Sequence, residues 1–370
     1  MVPFSERPED RQMVERTPFV VAYVERRPTP GRHFSIERVF DAVSASSPPQ
    51  VEIRRTNVPC SGVSPRTLLR NTLAARSVRA DVIHVTGDVH YVLPLLPRRV
   101  IRVLTIHDLA SLNRTTGLRR RIIRWLWFSW PLEKADAVTT VSEETRRQLI
   151  TEFGDVAGKV TVVENPLTSP FADVQPAQMR APHDQNSFVV LAVGAGVNKN
   201  LPRTAEAVRR VGASLRIIGK LDADNTKRLV EIGVSYEAVH TLSDDDLLTE
   251  YLNADVLVFP SLNEGFGLPI LEAQAVGLPV VTSNVPPMCE VAAGGALLVD
   301  PHQPSEIADA IMALRQDSDL RDRLRAAGLE NVRRHSAYEI AEGYARLYRR
   351  LLCTRDKRSI ATPSAGDGVE

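Results

Sequence analysis

The chain has 370 residues, 43% hydrophobic and 25% charged, which suits a soluble globular protein of two domains and excludes wholesale disorder or a fibrous repeat. Its net charge of +1 hides a division: residues 1–180 carry 26 Lys/Arg against 19 Asp/Glu, and residues 181–370 carry 20 against 26. Three cysteines, Cys60, Cys289 and Cys353, far apart and odd in number, exclude a disulfide framework and a Cys-based zinc site and fit a reducing cytoplasm. Residues 1–17 are charged without an apolar centre, unlike a signal peptide, and no apolar run reaches the ~18 residues that span a bilayer.

Along the chain a short β-branched run, a turn and a helical stretch recur. The expected strands are 19–24, 51–55, 82–85, 101–106, 137–141 and 160–163, then 188–193, 215–218, 238–242, 256–259, 279–282 and 296–299. Strands that are apolar throughout and alternate with helices predict parallel sheets covered on both faces. Six fall on each side of a polar, Pro-containing stretch, which predicts an α/β protein of two doubly wound, Rossmann-like domains facing across a cleft, with ligands at the carboxyl ends of the strands. The expected boundaries are a disordered N-terminus (1–17), a first domain (18–170), a linker (171–187), a second domain (188–335), a C-terminal helix (336–352) that returns to the first domain, and a disordered tail (353–370).

Residues 254–301 (ADVLVFPSLNEGFGLPILEAQAVGLPVVTSNVPPMCEVAAGGALLVDP) are the most informative. A strand ends at Pro260, a loop carries Glu264-Gly265-Phe266-Gly267, and Pro269 suits the first turn of a helix. The amides of Gly267 and Leu268 at that helix start would welcome an anion such as a diphosphate. Glu264, in the loop, and Glu272, expected in the first helical turn, would repel phosphate and so should face the vicinal hydroxyls of a sugar or a ribose. Phosphate-binding amides between two diol-binding carboxylates describe a site for a nucleotide-activated sugar.

The Glu–seven residues–Glu segment with GFGLP inside it resembles the hallmark of retaining glycosyltransferases of family 4 (glycosyl transferases group 1), which have the two-domain GT-B fold. Further matches run in the family's order: Thr105-Ile106-His107-Asp108-Leu109, residues 135–146 (ADAVTTVSEETR), 162–166 (VVENP) and 193–201 (VGAGVNKNL). The resemblance implies that Glu264, Gly265 and Phe266 bind the donor sugar, that Lys199, Gly267 and Leu268 bind its diphosphate, that Glu272 binds the ribose, and that His107, catalytic with Glu264, reaches the sugar from the other domain. It implies no metal and no cofactor beyond a nucleotide diphosphate sugar as co-substrate, and a carbohydrate, lipid-linked or small-molecule acceptor in the biosynthesis of a polysaccharide, glycolipid or glycoside. Two features depart from the pattern. Asn198 stands where many relatives have arginine, so that Lys220 or Arg203 would have to supply a second cation. Arg26-Arg27-Pro28-Thr29-Pro30-Gly31-Arg32 replaces the glycine-rich turn after the first strand.

Plainer readings stand beside these. Glu264 as a solvated loop carboxylate, Glu272 as a helix-dipole partner, His107 as a core histidine and Lys199 as a solvated helix-start lysine each need no ligand. Gly194-Ala195-Gly196 imitates a dinucleotide fingerprint, but its sixth position is Lys199 and the next strand ends without the expected acid. Asp88 and His90 either line the cleft or cap a turn. Residues 119–132 (RRRIIRWLWFSWPL), with all three tryptophans, read either as a helix packed on the first sheet or as a peripheral contact with the cytoplasmic face of a membrane. The alternatives to transfer are a nucleotide-sugar epimerase of the same fold and a non-catalytic nucleotide-sugar-binding relative; nucleic acid is not an expected partner.

Overall fold

A computed structural model of the chain describes residues 17–27, 35–113, 115–154, 156–174 and 188–361. The expected disorder of 1–16 and 362–370, most of the linker (175–187) and the centre of the arginine-proline turn (28–34) lie outside the described residues. The chain divides into two compact units, one holding residues up to Val141, Thr145–Val163 and those from Ala337 onward, the other Ser142–Glu144 and Glu164–Ser336.

The first unit is built on six parallel strands, β1 (Phe19–Glu25), β2 (Val51–Asn57), β3 (Val82–Val85), β4 (Ile101–Ile106), β5 (Ala137–Thr140) and β6 (Val160–Val162), in the order β2-β1-β3-β4-β5-β6. Its inner strands are short runs rich in β-branched residues and covered on both faces, so that β3 and β5 are buried along their whole length, whereas the edge strand β2 is mostly exposed. Between the sheet and one layer of helices lies a core of Val24, Ile83, Val85, Leu104, Ile106 and Val138, joined by Leu93, Phe128 and Leu132 from that layer. The layer includes α2 (Pro65–Arg76), a short 3-10 helix (His90–Leu95) and α3 (Gly117–Ile123), which runs into a π-helical turn (Arg124–Ser129). The opposite face takes α1 (Ser35–Ala45) and the C-terminal helix (Ala337–Ala361).

That helix is held by a buried polar chain. Nδ1 of His84 on β3 lies 2.7 Å from the Tyr348 hydroxyl, its Nε2 lies 2.7 Å from Thr105 Oγ1, and Thr105 lies 2.7 Å from Thr139. The expected return to the first domain is thus observed. The helix runs on to Ala361, however, where residues 353–370 were expected to be a tail. Residues 353–361 are polar but contain neither Gly nor Pro, and the first breaker is Pro363.

The second unit has six parallel strands in the order β12-β11-β10-β7-β8-β9: β7 (Val189–Val193), β8 (Ser214–Ile218), β9 (Tyr236–Val239), β10 (Val256–Phe259), β11 (Val280–Ser283) and β12 (Leu297–Val299). The strand order reverses between β7 and β10, the topological switch point at which doubly wound folds hold ligands. Around it stand α4 (Leu201–Val211), α5 (Asp244–Leu252) and α6 (Leu268–Ala275). β9 lies two residues earlier than the expected 238–242, because Thr241 takes a left-handed φ of 60° that ends the extended run.

An Ala-Asp pair before three strands sets register in both sheets. Asp81 accepts from the Val20 amide, Asp136 from the Arg102 amide and Asp255 from the Val189 amide, each on the neighbouring strand. These carboxylates satisfy strand ends and lie at the edge opposite the ligand-binding one.

Candidate active site

The switch point of the second unit brings together two loops. Directly after β7, Gly194 has φ +91°, and a Cβ there would fall 2.8 Å from Lys199 Cε and 2.9 Å from its Cγ. The bare glycine backbone is therefore the seat of the lysine chain. Lys199 Nζ lies 4.6 Å from the Phe259 ring centroid and donates to Glu264 Oε1 at 2.7 Å. The pair is only 21% and 14% exposed, so its attraction is less screened than a surface pair's.

Asn198 ties the same loops. Its amide donates to Glu264 Oε1 and to the Asn263 carbonyl, both at 3.1 Å, and its own carbonyl accepts from the Leu262 amide at 2.8 Å. Asn200, buried and left-handed (φ 59°), stands at the N-cap position of α4, and its side chain donates instead to the carbonyls of Pro260 (3.1 Å) and Pro301 (2.6 Å). Arg203 donates to Asn200 Oδ1 at 2.9 Å, which makes it a partner of the cap, while Lys220 is exposed. Of the two expected substitutes for the missing arginine, one is thus engaged in structure and the other lies in solvent.

α6 begins at Leu268, with Gly267 (φ +116°) before it and Pro269 in its first turn, so that Glu264 sits in the loop that leads into the positive end of the helix. Phe266 is 4% exposed and its ring packs 6.0 Å from His335. Its side chain therefore points into the protein, and only its backbone is placed to meet a sugar. Glu272 is five residues into α6, in the second turn where the first was expected, and its Oε2 accepts from the Tyr251 hydroxyl at 2.5 Å. Tyr251 is fully buried against Phe171 (4.8 Å), and burial together with the Glu272 carboxylate pushes its phenol well above the usual range.

In the first unit, His107 follows β4 at the carboxyl edge. Its Nε2–H donates to the Thr86 carbonyl at 2.9 Å, which leaves Nδ1 as the acceptor nitrogen of a neutral ring. Burial lowers its pKa, against the raising effect of that hydrogen bond. At the same edge Glu25, buried at the end of β1, is held by Arg55 through both oxygens; burial raises its pKa and the Arg55 contacts oppose the shift. His90 is buried in a structural hydrogen bond, whereas Asp88 contributes its main chain and leaves its side chain exposed. His90 Nδ1–H donates to the Trp127 carbonyl at 2.9 Å, and the Asp88 carbonyl accepts from Trp127 Nε1 at 3.3 Å.

The tryptophan-rich rod divides between the two sequence readings. Phe128 and Leu132 are buried in the core, and Trp127 packs on Tyr91 (5.0 Å). Trp125 is 56% exposed and stacks on Trp130 at 5.1 Å. The π turn causes that stacking, because its i→i+5 bond from the Trp130 amide to the Trp125 carbonyl lays residues five apart over one another.

Sequence reasoning singled out Lys199, Glu264, Glu272 and His107. It missed Asn200, Tyr251 and His84, and it treated Asn198 only as a lost cation. The Asn198-Lys199-Asn200 run before a Leu-Pro helix start was the available signal, since Asn tolerates the left-handed region and caps helices. Nothing local marks Tyr251, which meets Glu272 through the fold alone. Among the described residues no three His, Cys, Asp or Glu side chains gather as a metal site, and no helix is long and apolar enough to cross a membrane.

The profile of Glycosyltransferase Family 4 matches residues 19–168 and that of Glycosyl transferases group 1 matches residues 175–331. Over 260 residues the chain is 28% identical to O-antigen chain mannosyltransferase B of Escherichia coli, covering 65% of this chain and 68% of that one. It is 27% identical over 238 residues to O-antigen chain mannosyltransferase RfbU of Salmonella typhimurium, covering 62% and 64%, so the match spans about two thirds of these relatives' lengths. In fold it is similar to Anabaena HepE, solved in complex with UDP and glucose, with a TM-score of 0.71 at 14% identity over 89% of this chain and 99% of that one. With the two profiles taking consecutive halves of the chain, each on one doubly wound unit, the protein belongs to the group 1 glycosyltransferases of family 4, with the GT-B fold.

Proposed function

We propose that the chain transfers a sugar from a nucleoside diphosphate sugar to an acceptor hydroxyl, with retention at the anomeric carbon. The observation that carries this reading is the Lys199–Glu264 pair at the switch point, 2.7 Å across, with Glu264 in the loop that leads into α6. A diphosphate entering there takes the ammonium from Glu264 and adds the helix N-terminus as a second positive partner. Glu264, released from its cation and still held by Asn198, accepts from the sugar hydroxyls. Glu272 accepts from the ribose, its other oxygen fixed by Tyr251. His107, a neutral donor–acceptor ring, is read as a contact of the donor sugar, the role the family resemblance gives it.

Bond cleavage makes an oxocarbenium-like carbon and a diphosphate anion. Lys199 and the α6 amides stabilise the anion as charge develops on it. Glu264 is a positioning group, hydrogen-bonded on one oxygen by both Lys199 and Asn198. The acceptor then attacks from the face the diphosphate leaves, with the leaving phosphate taking the acceptor proton. The curated relatives named as O-antigen mannosyltransferases make a nucleotide-activated mannose donor and a cell-envelope polysaccharide acceptor the first to test, with UDP-glucose second. The three-cysteine composition is in keeping with work in the cytoplasm.

The test is a thermal-shift panel of GDP-, UDP-, ADP- and TDP-sugars followed by an acceptor screen with product stereochemistry read by NMR. A ligand at 100 times its dissociation constant stabilises by about 2.7 kcal/mol. Stabilisation by one donor, with a product of unchanged anomeric configuration, is expected. Release of nucleotide and an epimerised sugar without acceptor would favour the epimerase, and donor binding without turnover the non-catalytic relative.

A further inference from the structure

We propose that His335 is a positioning residue for the donor loop: it ties Phe266, and with it the backbone from Glu264 to Leu268, to the ends of the main stretch of the second unit. The inference rests on the reading of that loop as the donor site. His335 is 4% exposed and follows the helix Ser318–Arg334 as its C-cap. Its ring lies 6.0 Å from the Phe266 ring, tilted by 58°. Nδ1–H donates to the Asn331 carbonyl at 3.0 Å, which fixes the rotation of the ring. Nε2 faces Glu164 Oε2 at 3.2 Å, an ion pair whenever the ring is protonated. The His335 carbonyl accepts from the Leu167 amide at 2.8 Å. Glu164 opens the main stretch of the second unit and Ser336 closes it. One buried residue thus meets the donor loop with its ring and the opening segment with its polar atoms, and it stands at the closing end itself.

The helix that ends at His335 also holds α6. Gly328, Asn331 and His335 follow one another at spacings of three and four residues, so they share one face. A Cβ on Gly328 would fall 2.8 Å from Gln274 Cγ, so the two helices meet at bare backbone. Asn331 donates through its side-chain amide to Gln274 Oε1 and to the Val291 carbonyl, both at 2.8 Å. Gln274 is in the last turn of α6. α6 is therefore held near its end by Asn331, and the loop before its first turn is held by His335. The α6 amides read as meeting the diphosphate take their direction from this brace, and donors fixed in advance are worth most where charge develops.

Space-filling alone does not account for a histidine here. An apolar side chain would back Phe266 without the cost of burying two ring nitrogens. What the imidazole adds to packing is its hold on Asn331 and its approach to Glu164. On the proposed reading the donor takes Lys199 from Glu264 and settles on the loop. Phe266, packed on His335, passes that change to residues 164–167. By linkage, the state of that segment alters donor affinity by the same factor.

The test begins without ligand. Hydrogen exchange of the full chain is read over residues 262–271, with β10 as the internal control. His335→Ala should speed exchange there roughly tenfold and leave β10 unchanged. Calorimetric titration then uses the sugar nucleotide selected by the thermal-shift panel, and His335→Ala should weaken its binding about tenfold. Glu164→Ala should shift both readings about threefold in the wild type and leave them unmoved in the His335→Ala background. His335→Phe keeps a ring behind Phe266 and should bind donor within about threefold of the wild type. It also cancels the effect of Glu164→Ala, so it carries the same cycle if His335→Ala does not fold. Wild-type loop exchange and donor affinity in His335→Ala would overturn the proposal, as would an effect of Glu164→Ala that is equal with and without His335. A general role in stability would speed β10 and the loop alike, and that result overturns it too. If no sugar nucleotide binds the wild type, the donor reading fails, and the exchange cycle alone still decides whether His335 links Glu164 to the loop.

Discussion

Lys199 Nζ and Glu264 Oε1, 2.7 Å apart, join the loop after β7 to the loop after β10 across the point where the strand order reverses. Among the described residues, the cation that pairs with Glu264 is thus the one read as meeting the diphosphate. Lys199→Ala removes that charge while Asn198 offers none in its place. Transfer should fall by about 10²-fold or more, as for other lost electrostatic donors at developing charge. Turnover near that of the wild type would move the role to Lys220 or Arg203.

Asn198 has a different duty from the arginine found at its position in many relatives. Through its side chain it holds Glu264 Oε1 and the Asn263 carbonyl. Asn198→Ala should raise KM for the donor about three- to tenfold, the worth of one or two hydrogen bonds, with a smaller change in kcat. Asn198→Asp should be worse than Ala, because it sets a second carboxylate against Glu264. Equal donor KM in wild type and both variants would remove Asn198 from the site.

Much of this was legible before any coordinates. Short runs rich in apolar and β-branched residues, such as Val82–Val85 and Val256–Phe259, are read directly as buried parallel strands, and six on each side of a polar stretch give two doubly wound units. Glu264 and Lys199 were legible because their motifs are local. The partner of Glu272 was not: Tyr251 lies 21 residues away on another helix, where it packs on Phe171, and the fold alone brings the two together. The facing of α2 was equally hidden, since Leu68, Leu69 and Leu73 look alike in sequence, yet Leu68 packs on the core and Leu69 and Leu73 are exposed. The end of the C-terminal helix was misplaced because polar composition suggested a tail, whereas helix propensity does not fail until Pro363.

Gly194→Ala tests the seat of the lysine. The residue sits at φ +91° with the Lys199 chain 2.8–3.0 Å from where a Cβ would be. Alanine there is strained by its backbone and pushes the lysine away from Glu264. Donor affinity should fall about as far as in Lys199→Ala, with a stability loss of about 1–2 kcal/mol. A variant with wild-type donor affinity would show that the lysine does not depend on this approach.

The two carboxylates should separate by ligand. Glu264→Gln keeps the shape, loses the charge and should weaken the nucleotide sugar more than the free nucleoside diphosphate. Glu272→Gln and Tyr251→Phe should weaken both, Tyr251→Phe by roughly three- to tenfold through the loss of an orienting hydrogen bond. Calorimetric titration with the diphosphate alone and with the sugar nucleotide separates these outcomes. If both glutamine variants bound the free diphosphate as the wild type does, the assignment of Glu272 to ribose would be wrong.

The His84 network predicts how stability depends on pH. Burial lowers the His84 pKa from 6.5 to about 3, with His107 adding to the shift, so the ring is neutral in the folded protein wherever it is stable. In the unfolded chain it takes a proton near pH 6.5. Between those values the unfolded state binds more protons than the native one, so stability falls as pH falls, by up to about 1.4 kcal/mol per pH unit for this one residue. Burial lowers His90 and His107 as well, and both add loss in the same direction. Glu25, whose pKa is raised by burial, acts oppositely as pH falls through that raised value, and comparing variants at one pH cancels its contribution. His84→Gln can hydrogen-bond to both Tyr348 and Thr105 and does not titrate. It should cost about 1–3 kcal/mol at pH 7 through imperfect packing, yet lose about 2 kcal/mol less than the wild type between pH 6.5 and pH 5. Urea unfolding at both pH values measures this, and parallel losses in the two proteins would show that His84 does not supply the acid sensitivity.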